Sequence, residues 1–556
     1  MRVKRNFEAL YRSKKDPWDI GLADSDRYNR YFTLISTHAR GSVLDIGCGT
    51  GAFLARCTEG ATKLVGVEVS ATAIENGRAR FPNIDFFQGS ADRLGEIEGL
   101  QGLKFDLIIC SDLIYYLSDR GKLRLLAWIA SHLTPNGVLF LAAWCPGGKY
   151  LTADELVDLA GARFVTMNRQ AFEASGHVAL LVRNRRSFAA ITVDYETWQP
   201  IPPGKTIDWD KDVFEPADRL AAIGEACGAA MTFFVEMGEY FWLCDNEPAT
   251  ARRMEGQWRD LALRGHDLQL HLHPSWLPEL GASKPNGQWF WNWSLAKADA
   301  YPGDLSALIG RCKEALESVV RDVVPTHRVT CFRAGAYQAQ PFERLYTALL
   351  ANGIVCDSSV YKGGYSAERG YDYRHAYSHH QPYFASRYDP QLKAPPAEEG
   401  LVELPVFTSA PAKRCFIDGN EGDRFAGDLV GHLKRSMRQP SLQRGRAVRR
   451  LVSLWSVAYS MLLSVWPSIN RVLPRSWLYA LTNYRNSTRD TDQCFVIIGH
   501  TKAELRERAI EQGLNDLAKH GGVEFVSLSD MASHAVAAHA LTLDDASNRT
   551  TPGRCR

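Results

Sequence analysis

The first 185 residues alternate short apolar runs with amphipathic segments. The runs SVLDIGCGTG, TKLVGVEVS, FDLIICSDLIYYL and GVLFLAAW have the character of strands, and the segments AIENGRARF and LRLLAWIASHL between them have that of helices. Strands that alternate with helices predict an α/β domain with a parallel, doubly wound sheet. We place this domain over residues 1–185.

A second series of strand-like runs begins after the polar hinge RNRRS, with FAAITVDYETW. It continues through AAMTFFVEM, HDLQLHLHP, HRVTCFRAG, GIVCDSSVY, LVELPVF and QCFVIIGH, and several of these runs end in a polar residue. Active sites of α/β barrels form at the carboxyl ends of the strands. We therefore predict a distorted (β/α) barrel over residues 186–535, with a helical insertion at about 413–492 and a disordered tail over 536–556.

Composition narrows the class of protein only slightly. The formal net charge is +2, so the overall charge does not favour a nucleic-acid partner. The 12 cysteines are scattered without a CxxC pair, which is typical of reduced thiols in a reducing compartment. The N-terminal segment MRVKRNFEALYRSKKDPW lacks the apolar core of a secretory signal, and these features together predict a cytoplasmic protein.

One apolar segment raises the question of a membrane. No run of 18 or more apolar residues is present, so we predict no transmembrane helix. The segment LVSLWSVAYSMLLSVW, residues 451–466, follows the basic run RGRAVRR. We interpret it as a buried helix; the alternative is an interfacial helix that contacts the inner face of the membrane.

The first candidate site is a glycine loop with an acid on the next strand. The motif VLDIGCGTG places Asp45, Gly47, Gly49 and Gly51 at the end of the first strand. Glycines permit a tight turn and close approach to a ligand, and the following helix N-terminus favours an anionic group. Glu68 ends the second strand, where an acid can accept hydrogen bonds from ribose hydroxyls.

These motifs resemble those of class I S-adenosylmethionine-dependent methyltransferases. The segments LDIGCGTG, VGVEVS, IDFFQGSADRL and LTPNGVLFL correspond to four motifs of that family. The resemblance implies a Rossmann-like fold with S-adenosylmethionine as the cofactor. It also implies that the adenine lies beside Ser90 and Ala91, and that the methionine end lies near Asp45 and Gly47.

The N-terminal segment is similar to the opening of NodS-like N-methyltransferases, which methylate the amine of a deacetylated chitooligosaccharide. The matching stretch is FEALYRSKKDPWDIG followed by DRYNRYFTLI. This likeness implies that Trp18 and Arg27 help to cover the cofactor. The loop SDLIYYL implies an acceptor pocket shaped by Tyr115 and Tyr116, with Asp112 as a candidate proton acceptor.

The second candidate site combines histidines and carboxylates. His271 and His273 lie two positions apart on one strand and therefore share a face, and so do Asp194 and Glu196 on another. Two imidazoles and a carboxylate can bind one metal ion, while a second carboxylate serves as a base. Because both pairs stand at strand ends, we predict a shared site.

The order of these motifs resembles that of the polysaccharide deacetylases of the NodB homology family. The corresponding segments are TVDYE, GHDLQLHLH, CFRAGAY, CDSSV and VIIGHTK. The resemblance implies a divalent metal, zinc or similar, held by Glu196, His271 and His273. It implies catalytic roles for four further residues: Asp194 as the base, Arg333 as its orienting partner, Asp357, and His500 as the general acid.

The chain departs from this second family at two positions. Tyr195 stands where the family has its second aspartate, and Ser275 stands where it has its last histidine. Glu196 and His273 would then substitute as ligands. A domain without metal or without activity remains open at this point.

Both resemblances together predict a bifunctional enzyme that modifies an amino sugar or an oligosaccharide. N-deacetylation creates an amine, and an N-methyltransferase can then use it. Three alternatives stay open: an O-methyltransferase joined to a hydrolase of another acyl group, a non-catalytic glycan-binding second domain, and a peripheral membrane enzyme that acts on lipid-linked sugars. The sequence does not indicate an oligomeric state.

Overall fold

The computed structural model describes residues 6–14, 17, 26–199, 206–280, 282, 297–367, 369–395, 398, 400–408, 491–503 and 505–547. The described residues fall into two compact units. The first contains those up to Arg186 together with Thr491 and Asp492, and the second contains the others from Ser187 onward. Each unit is built around its own sheet.

A seven-stranded sheet forms the centre of the first unit. Its strands are β1 (Gly41–Ile46), β2 (Ala61–Glu68), β3 (Ile84–Gln88), β4 (Phe105–Ser111), β5 (Leu133–Trp144), β6 (Phe164–Phe172) and β7 (His177–Asn184). They lie in the order β3-β2-β1-β4-β5-β7-β6, and β7 runs antiparallel to both of its neighbours. The order reverses between β1 and β4, and ligands of doubly wound sheets bind in the crevice at such a point.

The described part of the first unit contains five α-helices, and local sequence sets several of their ends. They are α1 (Phe7–Ser13), α2 (Asp26–Ile35), α3 (Ala71–Arg80), α4 (Asp119–His132) and α5 (Ala153–Gly161). Ser70 and Ser118 accept hydrogen bonds from backbone N–H groups in the first turns of α3 and α4. Thr152 and Glu155 form a capping box at the start of α5.

The second unit contains a sheet that closes on itself. The strands described in this unit are β8 (Ser187–Tyr195), β9 (Met231–Glu236), β10 (Asp267–Leu272), β11 (Cys331–Ala334), β12 (Cys356–Asp357), β13 (Tyr365–Ser366), β14 (Tyr371–Asp372), β15 (Tyr383–Ser386), β16 (Asp389–Lys393), β17 (Val402–Glu403), β18 (Gln493–His500) and β19 (Glu524–Phe525). Strands β13 and β14 pair with each other in a separate two-stranded sheet. The path β18-β8-β9-β10-β11-β12-β17 is parallel throughout. Val406, just after β17, bridges in parallel to Val496 on β18, which closes a barrel.

Among the described residues of the second unit, seven α-helices are present: α6 (Glu215–Ala226), α7 (Met237–Asn246), α8 (Pro248–Leu263), α9 (Leu305–Arg321), α10 (Glu343–Ala351), α11 (Glu507–Gly521) and α12 (Leu528–Ser547). The predicted disordered tail is wrong over residues 536–547, because α12 continues to Ser547, and residues 548–556 lie outside the described residues. This segment is rich in alanine and leucine, which have high helix propensity.

Other predictions fall on residues that the structure does not describe. The helical insertion at about 413–492 lies outside the described residues except for Thr491 and Asp492, and so does the apolar segment 451–466. Within the described ranges, every helix is too short or too polar to cross a bilayer. The cysteines in these ranges form no disulfide bond.

Two fully buried carboxyl groups face each other across β12 and β17. Asp357 and Glu403 are register partners, and both have 0% exposure. Ser359 Oγ donates to Asp357 Oδ1 over 2.5 Å, and Val360 N–H donates to Glu403 Oε1 over 3.0 Å. Burial raises the pKa of Asp357 to about 6 and raises that of Glu403 as well. We infer that the pair shares a proton, because two adjacent buried carboxylates repel each other.

This pair makes stability depend on pH. Both pKa values are raised by folding, so the contribution of the pair is fully present below about pH 4 and is lost as the pH rises through 6. We expect Glu403→Gln, which keeps a donor for Asp357, to raise the melting temperature at pH 8 by about 2–4 °C or more and to have less effect at pH 4. Calorimetry at both pH values measures the shift. The exposed Glu398→Gln is the matched control, and an equal shift in that variant would contradict the assignment.

Candidate functional sites

The glycine loop follows β1 at the carboxyl edge of the first sheet. Gly47, Gly49 and Gly51 have φ angles of 79°, 56° and 78°, a region that glycine adopts without strain. A Cβ on Gly49 would lie 2.5 Å from Tyr11 Oη, and a Cβ on Gly51 would lie 2.7 Å from the ring of Phe86. Gly47 and Gly49 line a cavity of ≈ 570 Å³, whereas Gly51 supports the loop by close packing.

Glu68 holds the glycine loop from the neighbouring strand. Gly49 N–H donates to Glu68 Oε2 over 3.0 Å, and the N–H groups of Val69 and Ser70 donate to Oε1 over 2.8 and 3.0 Å. Burial raises the pKa of Glu68, while these backbone donors oppose the rise. Each carboxylate oxygen can accept more than one hydrogen bond, so Glu68 can also accept from a ligand in the cavity.

The other predicted cofactor residues lie around the same cavity. Asp45, Ser90, Ala91 and Arg27 all line it. Burial raises the pKa of Asp45 to about 7, and the negative charge of Glu68 adds to the rise. The carboxyl groups of Asp45 and Glu68 and the glycine loop therefore line the same cavity.

Helix α1 lies against this edge of the first unit and is fixed by one carboxylate. Thr72 Oγ1 donates to Glu8 Oε1 over 2.6 Å, and Ser70 Oγ donates to Glu8 Oε2 over 2.8 Å. Phe7 and Tyr11 of the same helix line the cavity. Glu8 therefore attaches a cover of the cavity to the first turn of α3.

Asp112 and two basic groups form the opposite end of the cavity. Asp112 follows β4 with a φ of 55°, a conformation that asparagine and aspartate adopt more readily than other residues, and its N–H donates to Ala142 O over 2.9 Å. His177 Nε2 lies 3.3 Å from Asp112 Oδ1, and Arg27 Nη2 lies 3.7 Å from Asp112 Oδ2. Arg27 Nη1 also hydrogen-bonds to His177 Nε2. The other predicted cover residue, Trp18, lies outside the described residues.

The second site lies at the carboxyl end of the barrel strands. Strand register places Asp194 on β8 opposite His500 on β18, and His271 on β10 opposite Arg333 on β11. Arg333 Nη1 donates to Asp194 Oδ1 over 2.7 Å, and His500 Nε2 lies 3.6 Å from Asp194 Oδ2. Burial would raise the pKa of Asp194, but Arg333, His271 and His500 together lower it. The carboxylate is therefore ionised and oriented.

Glu196 meets both histidines beside this pair. Its Oε2 lies 3.0 Å from His273 Nε2 and 3.6 Å from His271 Nε2, and these three atoms have no hydrogen-bond partner among the described residues. His271 Nδ1 is 2.8 Å from Arg333 O, so Nδ1 carries a hydrogen. Burial would lower the pKa of His271, but Asp194 and Glu196 raise it to about 9, so Nε2 would offer its lone pair to a metal by giving up a proton. Burial lowers the pKa of His273 to about 4, which keeps its imidazole neutral. One carboxylate oxygen and two imidazole nitrogens could together hold a divalent metal.

Lys502 limits what Glu196 can offer to a ligand. Its Nζ lies 2.7 Å from Glu196 Oε1. Burial would raise the pKa of Glu196, yet Lys502 and the two histidines hold it well below its usual range. Because Lys502 engages Oε1, only Oε2 faces the histidines.

The structure separates the remaining predicted residues from this cluster. Tyr195 Oη donates to Gln257 Oε1 over 2.7 Å, and Ser275 Oγ accepts from Gln199 Nε2 over 3.0 Å. Asp357 accepts a hydrogen bond from Ser359 Oγ and lies opposite Glu403 in the sheet. His273 thus joins the cluster where Ser275 does not, and Asp357 has the surroundings of a buried structural residue.

Several residues of these sites were not singled out by the sequence analysis, among them the cavity-lining aromatic residues Phe7, Tyr11, Trp144 and Tyr150. Three others form polar contacts: Glu8 with Ser70, His177 with Asp112, and Lys502 with Glu196. Lys502 follows the GHT motif directly, and this position was a usable signal. Glu8 stands in the segment FEALYRSKKDPWDIG but, like His177, it has partners that lie far away in sequence and that no motif connects with it.

Comparison with known proteins places a methyltransferase domain in the first unit. The family described as "Methyltransferase domain" matches residues 43–137. Nodulation protein S of Azorhizobium caulinodans is 27% identical over 113 residues, which cover 20% of this chain and 53% of that protein. The dTDP-4-amino-2,3,4,6-tetradeoxy-D-glucose N,N-dimethyltransferase of Saccharopolyspora spinosa is 30% identical over 113 residues, which cover 20% of this chain and 43% of that protein. The chain thus spans about half the length of these relatives.

Among solved structures, the chain has a partial match to the N-methyltransferase NodS from Bradyrhizobium japonicum in complex with S-adenosyl-L-homocysteine. The identity is 20% and the TM-score 0.28, and the match covers 32% of this chain and 97% of that chain.

The hydrogen bonds that Glu68 accepts lead to a prediction about ligand binding to the first unit. Removing its carboxylate deletes both the anchor of the glycine loop and an acceptor at the cavity. We expect Glu68→Ala to weaken binding of S-adenosylhomocysteine about 10- to 100-fold, since a hydrogen bond to a charged group contributes about 1.5–3 kcal/mol. Isothermal titration calorimetry measures the change. Glu59→Ala, at an exposed position, is the control. Equal affinity in both variants would contradict a role of Glu68 in binding the ligand.

Proposed function

We propose that the first unit transfers a methyl group from S-adenosylmethionine to the amine nitrogen of an amino sugar. The observation that carries the proposal is one cavity lined by the glycine loop with Glu68 and also by Asp112 with His177. The glycine loop and Glu68 can bind the cofactor, and Asp112 and His177 can bind an amine. The name of the Saccharopolyspora spinosa relative, an N,N-dimethyltransferase of an amino sugar, supports this substrate class.

The residues present fit the cofactor. The cavity volume of ≈ 570 Å³ lies within the range of about 300–1,000 Å³ that holds small ligands. Glu68 would accept from the ribose hydroxyls, Ser90 and Ala91 would flank the adenine, and Asp45 with Gly47 would border the methionine end. When bound, the cofactor supplies an electrophilic methyl group, so that a nitrogen–carbon bond forms as the sulfur–carbon bond breaks.

The acceptor end of the cavity has the character of an amino-sugar site. Asp112 offers a carboxylate to a cationic amine, and the rings of Tyr115, Trp144 and Tyr150 line the cavity beside it. Aromatic rings bury the apolar faces of sugars, and their hydroxyl and indole groups can hydrogen-bond. Methyl transfer to an amine depends mainly on such positioning.

Product analysis tests the proposal. We expect the protein to methylate glucosamine oligomers and to leave their fully N-acetylated counterparts unmodified, because an acetamide nitrogen is a poor nucleophile. Mass spectrometry with methyl-deuterated cofactor locates the label. The Glu68→Ala variant at low cofactor concentration is the negative control. A label found only on oxygen would replace this proposal with the O-methyltransferase alternative.

We propose a second activity for the barrel, the metal-assisted hydrolysis of a sugar N-acetyl group. The supporting observation is the Asp194–Arg333 pair beside the three ligand atoms of Glu196, His271 and His273. These atoms fit a divalent metal such as zinc, because they converge without hydrogen-bond partners among the described residues. Such a metal supplies Lewis-acid polarisation of the amide carbonyl.

The roles of the protein groups follow from their surroundings. Asp194, held ionised by Arg333, would accept a proton from the attacking water. His500, at 3.6 Å from Asp194, would return a proton to the leaving nitrogen. The reaction produces acetate and a free amine. That amine is the group which the first unit would methylate, so the two proposed activities form a sequence on one amino-sugar or oligosaccharide substrate.

Metal analysis and acetate release test the second activity. We expect bound zinc or a similar metal in the purified protein, and a lower metal content in His271→Ala. Asp194→Asn should release acetate about 10²- to 10⁴-fold more slowly, because it lacks the base.

The exposed Asp245→Asn on α7 serves as the control. Absence of bound metal, together with unchanged function in His271→Ala, would favour the non-catalytic glycan-binding module instead.

A further inference from the structure

We propose that His177, held by Arg27 and Asp112, receives the proton that the acceptor ammonium must lose before methyl transfer. This inference rests on the proposed amine methylation and names the residues that prepare the nucleophile. At neutral pH an alkyl amine is mainly cationic and has no lone pair to attack with. A base in the cavity is therefore required, and the geometry points to the imidazole rather than to the carboxylate alone.

The fold positions His177 firmly at the cavity. It is the first residue of β7, and its backbone pairs with that of Trp144 on β5. The hairpin turn before it contains Gly176 at a φ of 67°, where glycine is favoured. The His177 side chain is only 12% exposed, and it lines the cavity. Its ring is thus presented by a sheet strand and not by a loose loop.

Hydrogen bonds define which nitrogen of His177 can take a proton. A guanidinium can only donate, so the bond from Arg27 Nη1 requires a lone pair on His177 Nε2. Nδ1 lies 3.0 Å from Ser175 O, which can only accept, so Nδ1 carries the hydrogen. The imidazole is therefore the neutral tautomer with a basic Nε2.

Asp112 is placed to stabilise the protonated imidazole. Its Oδ1 lies 3.3 Å from His177 Nε2 and has no hydrogen-bond partner among the described residues. A proton on Nε2 would satisfy this oxygen. At the same time Arg27 would give up its bond to Nε2 and keep its ion pair with Asp112, where Nη2 is already 3.7 Å from Oδ2. Proton transfer thus replaces the hydrogen bond from Arg27 to His177 Nε2 with one from His177 Nε2 to Asp112, and both bonds are charge-assisted.

Proton balance is complete with these groups. The ammonium R–NH₃⁺ passes one proton to His177 Nε2 and becomes the neutral R–NH₂. Methylation then yields the secondary ammonium R–NH₂⁺–CH₃, and His177 returns its proton to solvent. One proton is released in each turnover, and no further reactant is needed.

Arg27 is a cationic side chain beside His177 and Asp112. In the described part of the chain, the other titratable side chains near this pair include Tyr28, Tyr31, Tyr115, Cys110 and Cys145. Burial raises the pKa of Cys145 to about 11 and raises those of Tyr31 and Tyr115 as well. Arg27 and Asp112 are therefore the charges that act on His177.

The pH profile of methyl transfer tests this role. We expect His177→Gln to lower kcat about 10²- to 10⁴-fold at pH 7, with most of the loss recovered at high pH as free amine becomes abundant. Its affinity for S-adenosylhomocysteine should stay unchanged. Asp112→Asn, which suits the left-handed backbone, should show a smaller loss with the same recovery. His132→Gln, outside the cavity, is the control.

The outcomes separate this inference from the proposed function. If wild type methylates the amine and His177→Gln retains the wild-type kcat and pH profile, the inference is wrong and the proposed function stands. A variant that stays slow at every pH also overturns the base role, since the loss would then be one of positioning. If wild type methylates only a hydroxyl group, both fail together.

Discussion

Parallel strands deliver the residues at their carboxyl ends to one edge of the sheet, and both candidate sites depend on this constraint. In the first unit, β1, β2 and β4 place the glycine loop, Glu68 and Asp112 around one cavity. In the second, β8, β10 and β18 bring Asp194, His271 and His500 together. The chemistry of each site is therefore built from residues that are distant in sequence but equivalent in position within their strands.

Sequence patterns predicted well the features that depend on a few neighbouring residues at the end of one strand. The alternation of Asp194 with Glu196, and of His271 with His273, depends only on the two-residue period of a strand. The glycine loop is similarly predictable, because its φ angles and close contacts demand glycine within a few positions. The apolar runs of the first sheet were also recognisable, since central parallel strands are buried on both faces.

Contacts that join distant segments could not be predicted in the same way. His177 lies 150 positions from Arg27, and no period or motif connects them. Asp357 matched a family motif in sequence, yet it lies opposite Glu403. Only the register of β12 with β17 defines this pair. The prediction of a disordered tail failed for another reason, because a low content of core-forming residues was interpreted as the absence of structure, whereas α12 continues to Ser547.

The closure of the barrel has a consequence for its synthesis. Strand β8 is among the first elements of the second unit, yet its neighbour β18 comes much later: the hydrogen bond from Thr192 to Ile497 spans 305 residues. At about 5–20 residues per second, a ribosome needs roughly 15–60 s to cover that distance. During this interval one edge of β8 has no partner strand. A nascent chain that exposes such an apolar strand edge is a natural substrate for a chaperone. By contrast, all strands of the first sheet have been synthesised before β8.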